Sequence, residues 1–378
     1  VQTCPDLFSL PKDHNHMNLE LGTYSFGNTP RTADGGYGAT AQAIRDVLEA
    51  VHVAEEVGLD FFGFGEHHTQ SMPLSSPTAL VNAAAASTHR IGLGTTVTVL
   101  STDEPVRVFQ QLATAAAIAP GRIEVVAGRG SSAITFPIFD LDEGDYDMLY
   151  SSELELLLEL NRHARASWSG PHRRRPLEDT LVVPRPEQPL RIWLGTGGSP
   201  ESVLRAVELG LPMFLGILRG TPQHWAQYGR AYRQAWAEVG HPAEAARIAV
   251  ATHGFVADDD RQAKANFLDH ELRMFRGAMA EIGRSGPPLS GRDRHYETGG
   301  MVFAGGPNEV ADRILNLHQL LGHTRQILQM DVGGMPQAAF LKSIELLGTK
   351  VLPQIRKELG PAPSSDPIRP SSTDGSSA

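Results

Sequence analysis

Three short segments of this chain carry residue types that do chemistry. The first is Glu66-His67-His68, directly after Gly63-Phe64-Gly65. An imidazole gives or takes a proton near neutral pH, so a histidine at a strand end is a candidate acid or base. Neighbouring side chains on a strand point to opposite faces, so His67 can face a ligand while Glu66 or His68 braces it. Tying loops together is the structural alternative for the triplet. Metal ligation is a third reading, and the spacing speaks against it. The two histidines are adjacent rather than i, i+2 on a strand or i, i+4 on a helix, and no cysteine joins them. No metal is expected.

The second segment is Gly128-Arg129-Gly130. Its glycines let backbone and ligand approach closely, and Arg129 offers a permanent cation to a phosphate or an electron-rich ring. A structural arginine between turn glycines explains the triplet equally well. The third segment is Gly195-Thr196-Gly197-Gly198-Ser199-Pro200-Glu201-Ser202. A glycine-rich turn entering a helix leaves backbone N–H groups free at the positive end of the helix dipole, which makes an anion site. Ser199 and Ser202 add hydroxyl donors. The run lacks the Gly-Lys-Ser/Thr ending of a Walker loop and the third glycine of a dinucleotide fingerprint. By itself it reads as a turn with a helix cap; taken with Arg129 it reads as a phosphate site. A fourth segment, Gly94-Thr95-Thr96-Val97-Thr98-Val99-Leu100, is a buried strand when taken alone.

These segments need a frame that brings them together. Apolar runs predict strands at residues 18–24, 59–65, 91–99, 122–128, 190–195, 213–218, 247–256 and 326–332. Helical patterns separate them. Ile44, Val47, Leu48 and Val51 share one helical face and Gly58 suits the stop; Ser76-Pro77 opens the next helix with a cap and a proline at its first position. Eight near-continuous apolar strands alternating with helices predict a parallel sheet buried on both faces, closed as a (β/α)8 TIM barrel, with a doubly wound open sheet as the alternative. In such a barrel the catalytic groups sit at the carboxyl ends of the strands, where all three segments fall. Insertions are expected at 131–150, 164–189 and 283–304, near the working face. Tyr24, Phe26, Phe136, Phe139 and Tyr146 are candidate substrate walls.

Composition narrows the function. The chain has 378 residues and a formal charge of −10, so nucleic acid is not its expected partner. No run of about 18 apolar residues is present, so no membrane span is expected. The single cysteine, Cys4, fits a reducing compartment, and a cytoplasmic location is the expectation. Residues 1–17 read as an N-terminal arm without signal-peptide character, 18–359 as one barrel domain, and 360–378, rich in Ser, Pro and Gly, as a disordered tail.

In this order, the segments resemble the bacterial luciferase-like monooxygenase family. The resemblance runs over roughly residues 18–358. It is carried by Glu66-His67-His68, Gly94-Thr95-Thr96-Val97 with Glu104-Pro105-Val106-Arg107, Gly128-Arg129-Gly130, and Gly197-Gly198-Ser199-Pro200-Glu201-Ser202. It implies a (β/α)8 barrel that binds reduced FMN delivered by a separate flavin reductase, and oxygenates a small organic substrate with dioxygen. It makes His67 the catalytic candidate, with Glu66 beside it. It also places Thr96 and Val97 beneath the flavin ring, where the family often carries a cis non-proline peptide. Arg129, Gly130, Thr196, Gly197, Gly198, Ser199 and Ser202 fall on the cofactor phosphate, and a homodimer is implied as the assembly. Gly128 stands where the family's thiol would be, which argues against light emission. Hydride transfer with coenzyme F420, a non-catalytic flavin-binding protein and a metal-dependent hydrolase are the alternatives.

Overall fold

The computed structural model describes residues 18–130, 134–171, 173–281 and 290–361. The expected arm, most of the expected tail (362–378) and parts of two expected insertions lie outside them.

Eleven strands form: β1 Glu20–Ser25, β2 Phe61–Phe64, β3 Gly92–Val99, β4 Ile123–Gly128, β5 Arg165–Trp168, β6 Leu177–Leu181, β7 Arg191–Thr196, β8 Met213–Ile217, β9 Ile248–Val256, β10 Phe303–Gly305 and β11 Arg325–Gln329. Eight of them, β1, β2, β3, β4, β7, β8, β9 and β11, are parallel neighbours, and the β8–β9 pairing closes the ring. This is the TIM barrel expected from the sequence, and closure disposes of the open-sheet alternative. Predicted and observed strands differ at their ends by at most three residues.

The helices are α1 Thr40–Glu56, α2 Pro77–Ser87, α3 Pro105–Ile118, α4 Thr135–Ile138, α5 Tyr146–Arg162, α6 Pro200–Glu208, α7 Pro222–Glu238, α8 Asp260–Glu281, α9 Pro307–Leu321, α10 Gln337–Leu346 and α11 Leu352–Leu359. Proline opens several of them, where its missing N–H costs nothing. Ser199 caps α6 by accepting from Ser202 N, as its position implies. Ser76 is the residue before α2, but its hydroxyl makes no cap bond.

Short α4 escaped the sequence reading, and so did one hairpin and one short strand. The 164–189 insertion contains the antiparallel β5–β6 hairpin. It is rooted where α5 ends, at the foot of the barrel, and Arg173 beyond β5 reaches Glu104 at the start of α3, 3.2 Å away. Short β10 adds to the far end of β9, Phe303 pairing with Gly254 and Gly305 with Val256.

Two layers fill the barrel. Its amino-terminal end holds a buried ionic plug. Arg325 grips Glu124 at 2.6 and 3.1 Å and Glu20 at 2.5 Å, Trp193 donates to Glu124 at 2.7 Å, and Arg191 and Arg247 complete the set. Burial opposes the charge on Glu124, yet Arg325 and Arg191 hold it well below the usual carboxylate range. Above the plug, Tyr24, Phe61, Val126, Trp193, Phe214, Ala249, Ala251 and Ile327 form the inner core. The site lies above that layer, at the carboxyl ends of the strands.

Candidate active site

His67 stands just beyond β2. Its N–H donates to Leu74 O at 2.9 Å, and the Phe26 ring meets its imidazole edge-on at 4.7 Å. Phe26 fits because Gly65 has no Cβ; one there would collide with the ring. Part of His67 still reaches solvent. Its dense surroundings, and then the neighbouring His68, push its pKa down to about 4, with Glu281 opposing. At neutral pH the ring is therefore uncharged and able to accept a proton. Glu66 is committed elsewhere. One oxygen takes Val99 N at 2.9 Å, and the other meets His68 Nε2 at 2.9 Å. The triplet thus divides as alternation suggests: His67 toward the mouth, Glu66 and His68 locked against the end of β3.

The floor beside His67 is made by β3. The Thr96–Val97 peptide is cis, the conformation that the family resemblance implied there. Three glycines on neighbouring strands make room for this pair. A Cβ on Gly63 would strike Thr96, and one on Gly128 or Gly195 would press on Val97. The Thr96 hydroxyl is buried and has no hydrogen-bond partner among the described residues, an orphan that a ligand above the floor would satisfy.

The glycine-rich turn follows β7, the direct neighbour of β4, with Ala127 in register with Leu194. Arg129 and the turn therefore leave adjacent strand ends. Gly198 takes φ +87°, its N–H donates to Thr196 Oγ1 at 3.0 Å, and a Cβ there would meet Trp225. Gly197 faces open space, with nothing within 4 Å of a Cβ position. The Ser199 and Ser202 hydroxyls bond each other at 2.8 Å. Arg129 lies over the Tyr146 ring at 4.6 Å and pairs with exposed Asp147 at 2.9 Å. Buried Tyr150 ties the two sides: burial raises its pKa, while Arg205 of α6 and Arg129 both pull it back. Both cations are thus within electrostatic reach of one hydroxyl. Gly130 accepts the Tyr146 hydroxyl through its carbonyl.

Of the candidate walls, Tyr24 belongs to the inner core, and Phe26 covers His67. Phe136 packs on Tyr146, and half-exposed Phe139 packs on His68.

The opposite side of the mouth was not singled out from the sequence. Helix α8 crosses it. A Cβ on Gly333, past β11, would strike the His270 carbonyl, and Gly277 lies against Tyr37 and Arg31. Glu281 accepts Gln70 N at 2.8 Å, Ser71 N at 3.2 Å and the Tyr37 hydroxyl at 3.0 Å. Beneath α8, Glu271 holds His253 of β9. Asp331, just past β11, accepts the Ser25 hydroxyl, while its second oxygen is buried without a partner among the described residues. Burial pushes its pKa up to about 7. The available signal was faint: polar residues interrupting apolar strand runs, Thr252-His253 in Ala249–Val256 and Asp331 after Met330.

Among the described residues no group of three or more His, Cys, Asp or Glu side chains is arranged to hold a metal, and no helix is long and apolar enough to cross a membrane.

Comparison with known proteins gives a consistent picture. The monooxygenase RslO1 of Streptomyces bottropensis superposes with a TM-score of 0.77 at 22% identity, over 89% of this chain and 99% of that one. The oxygenating constituent of 3,6-diketocamphane monooxygenase from Pseudomonas putida, solved in complex with FMN, gives 0.69 at 18% identity over 89% and 99%. The coenzyme F420-dependent tetrahydromethanopterin reductase of Methanopyrus kandleri gives 0.65 at 17% over 89% and 99%. At these identities the structures speak for a shared fold. The sequence profile described as luciferase-like monooxygenase matches residues 25–329. That match spans every barrel strand except β1, of which it holds only the last residue, Ser25, and the chain belongs to the luciferase-like monooxygenase family.

Proposed function

We propose that this protein is a flavin-dependent monooxygenase that uses reduced FMN, supplied by a separate reductase, and dioxygen to oxygenate a small organic substrate. The observation that carries the reading is that Arg129 and the Gly197–Ser202 turn follow the ends of the paired strands β4 and β7, on a rim that also holds an uncharged imidazole. The residues fit the cofactor. Gly197 opens space just before α6, and the Thr96 hydroxyl lacks a partner among the described residues under the mouth. Arg129, Gly130, Thr196, Gly197, Gly198, Ser199 and Ser202 would hold the phosphate, and Thr96 and Val97 would underlie the ring.

The chemistry that reduced FMN would supply when bound is two electrons for dioxygen, so that one oxygen atom could enter the substrate and the other leave as water. The chain's own groups do the rest. Arg129 and the amides of the turn orient the cofactor through its anion. Phe26, Val97 and Phe136 exclude water from the rim. His67 holds or moves a proton at its imidazole, and Glu66 positions it by fixing His68 and the end of β3.

Titration of pure protein with FMN and with reduced FMN tests this. Micromolar binding is expected, weakened about 10–100-fold in Arg129→Ala, the loss of one to two charge-assisted hydrogen bonds. No binding, or binding indifferent to that substitution, rejects the reading. Coenzyme F420 also carries a phosphate, so it is titrated in parallel; tighter F420 binding with oxidation of its reduced form would favour hydride transfer.

A further inference from the structure

A second imidazole overlooks the mouth. His253 lies on the face of β9 that carries Ala249 and Ala251 into the inner core, so strand alternation turns it inward. Its register partner on β11 is Gln329. On the other side is the end of β8, where Gly216 pairs with Ala251 and has nothing within 4 Å of a Cβ position. His253 therefore borders the open part of the barrel mouth, two strands round the ring from the glycine-rich turn after β7.

Its orientation is fixed by a built network. Glu271 of α8 meets His253 Nδ1 at 2.5 Å. The same carboxylate takes Arg292 Nε at 2.7 Å and Nη2 at 2.5 Å, and the Tyr296 hydroxyl at 3.0 Å. Arg292 is itself tied to the Leu218 carbonyl past β8 at 2.7 Å. Phe267 and Phe275, each 6.2 Å away, are the other rings against His253. Burial opposes the charge on Glu271, but the bonds from Arg292 and His253 draw it down to about 2. A carboxylate only accepts, so Nδ1 carries the proton, and in the neutral ring Nε2 presents a lone pair. Nε2 has no hydrogen-bond partner among the described residues. A histidine kept for packing alone has no need of a carboxylate, an arginine and a tyrosine to aim it.

We propose that His253 is a second proton acceptor of this site, and that the substrate presents an acidic O–H of the phenol or enol type to its Nε2. An imidazole takes a proton efficiently only from a group not far above it in acidity; phenols, near 10, come within about four units, whereas aliphatic alcohols do not. The O–H bond breaks, its proton passes to Nε2, and its electron pair stays on the substrate oxygen. Glu271 balances the imidazolium. The resulting anion is electron-rich at carbon, the form that accepts an electrophilic oxygen atom. The oxygenation rests on the flavin reading above, but the proton transfer does not.

The test uses 4-nitrophenol, whose phenolate absorbs visibly, at a pH well below its solution pKa. The wild-type protein should bind it largely as the phenolate. His253→Gln keeps an amide to donate to Glu271 but supplies no base, and should lower the bound phenolate fraction about tenfold or more. His52→Gln, at an exposed position of α1, should leave it unchanged. The 15N signal of His253 Nε2 in histidine-labelled wild-type protein reads the same transfer without any variant. Equal phenolate in His253→Gln, no shift of that signal, or no binding by the wild type overturns the proposal. FMN titration of the same samples separates the two claims. Binding of FMN without nitrophenol ionisation sinks only this one, and ionisation without FMN binding sinks only the flavin reading.

Discussion

The two sides of the barrel mouth are built on opposite principles. Along β2, β4 and β7 the inward positions are glycines, Gly63, Gly128 and Gly195, and the space they leave is taken by Thr96 and Val97 or stays open toward the phosphate turn. Its cation, Arg129, is half-exposed and pairs with a surface carboxylate. Across the mouth, β9, the segment past β11 and β1 offer His253, Asp331 and Tyr24, all buried, and a charge network reaching down from α8 holds His253. A flat, anionic ligand needs room and exposed amides; a proton-transfer group needs a fixed orientation and little water. The difference teaches that one rim can join an open side that receives a ligand to a buried side whose polar groups are fixed in place.

Removing the anchor of the buried side should have the largest effect. Glu271→Ala leaves Arg292 without its carboxylate in a dry setting, and thermal or urea unfolding should show a loss of about 3–5 kcal/mol. A loss below about 1 kcal/mol would mean the network is wetter than the other side and would erase the contrast.

Acid and base should act oppositely on the two sides. His67 has a folded pKa near 4, below its unfolded value, so its contribution is complete above pH 6.5 and is lost as pH falls toward 4. Asp331, raised to about 7, behaves in reverse: its contribution is complete below its unfolded pKa and is lost as pH rises through 7. Each swing is on the order of 3 kcal/mol. Unfolding free energies across this range should show His67→Gln flattening the acid limb and Asp331→Asn flattening the alkaline limb. Parallel curves for both variants and the wild type would refute the assignment.

The smallest effect belongs to the exposed ion pair. Asp147→Ala should change stability by less than about 1 kcal/mol, since surface pairs contribute little. It should nevertheless tighten FMN binding a few-fold by freeing Arg129 from a competing carboxylate; weaker FMN binding would make Asp147 part of the cofactor site.

The barrel was legible in the sequence because each strand is a short apolar run punctuated by turn residues, and the count of eight leaves few architectures. The phosphate turn was legible for a local reason: Gly197-Gly198-Ser199-Pro200 encodes its own bend and cap. The β5–β6 hairpin was not, because Arg165–Trp168 and Leu177–Leu181 expose most of their side chains and show no apolar run.

What the sequence determined by itself is local. It set which runs become strands, where helices start, and which turn can receive an anion, since backbone preferences and apolar periodicity act over a few residues. Only the tertiary structure decided which polar residues share the mouth. Glu271 meets His253 from 18 positions away and Asp331 meets Ser25 from 306, because ring closure and the path of α8 bring them together. No period along the chain records a contact made by closing a circle.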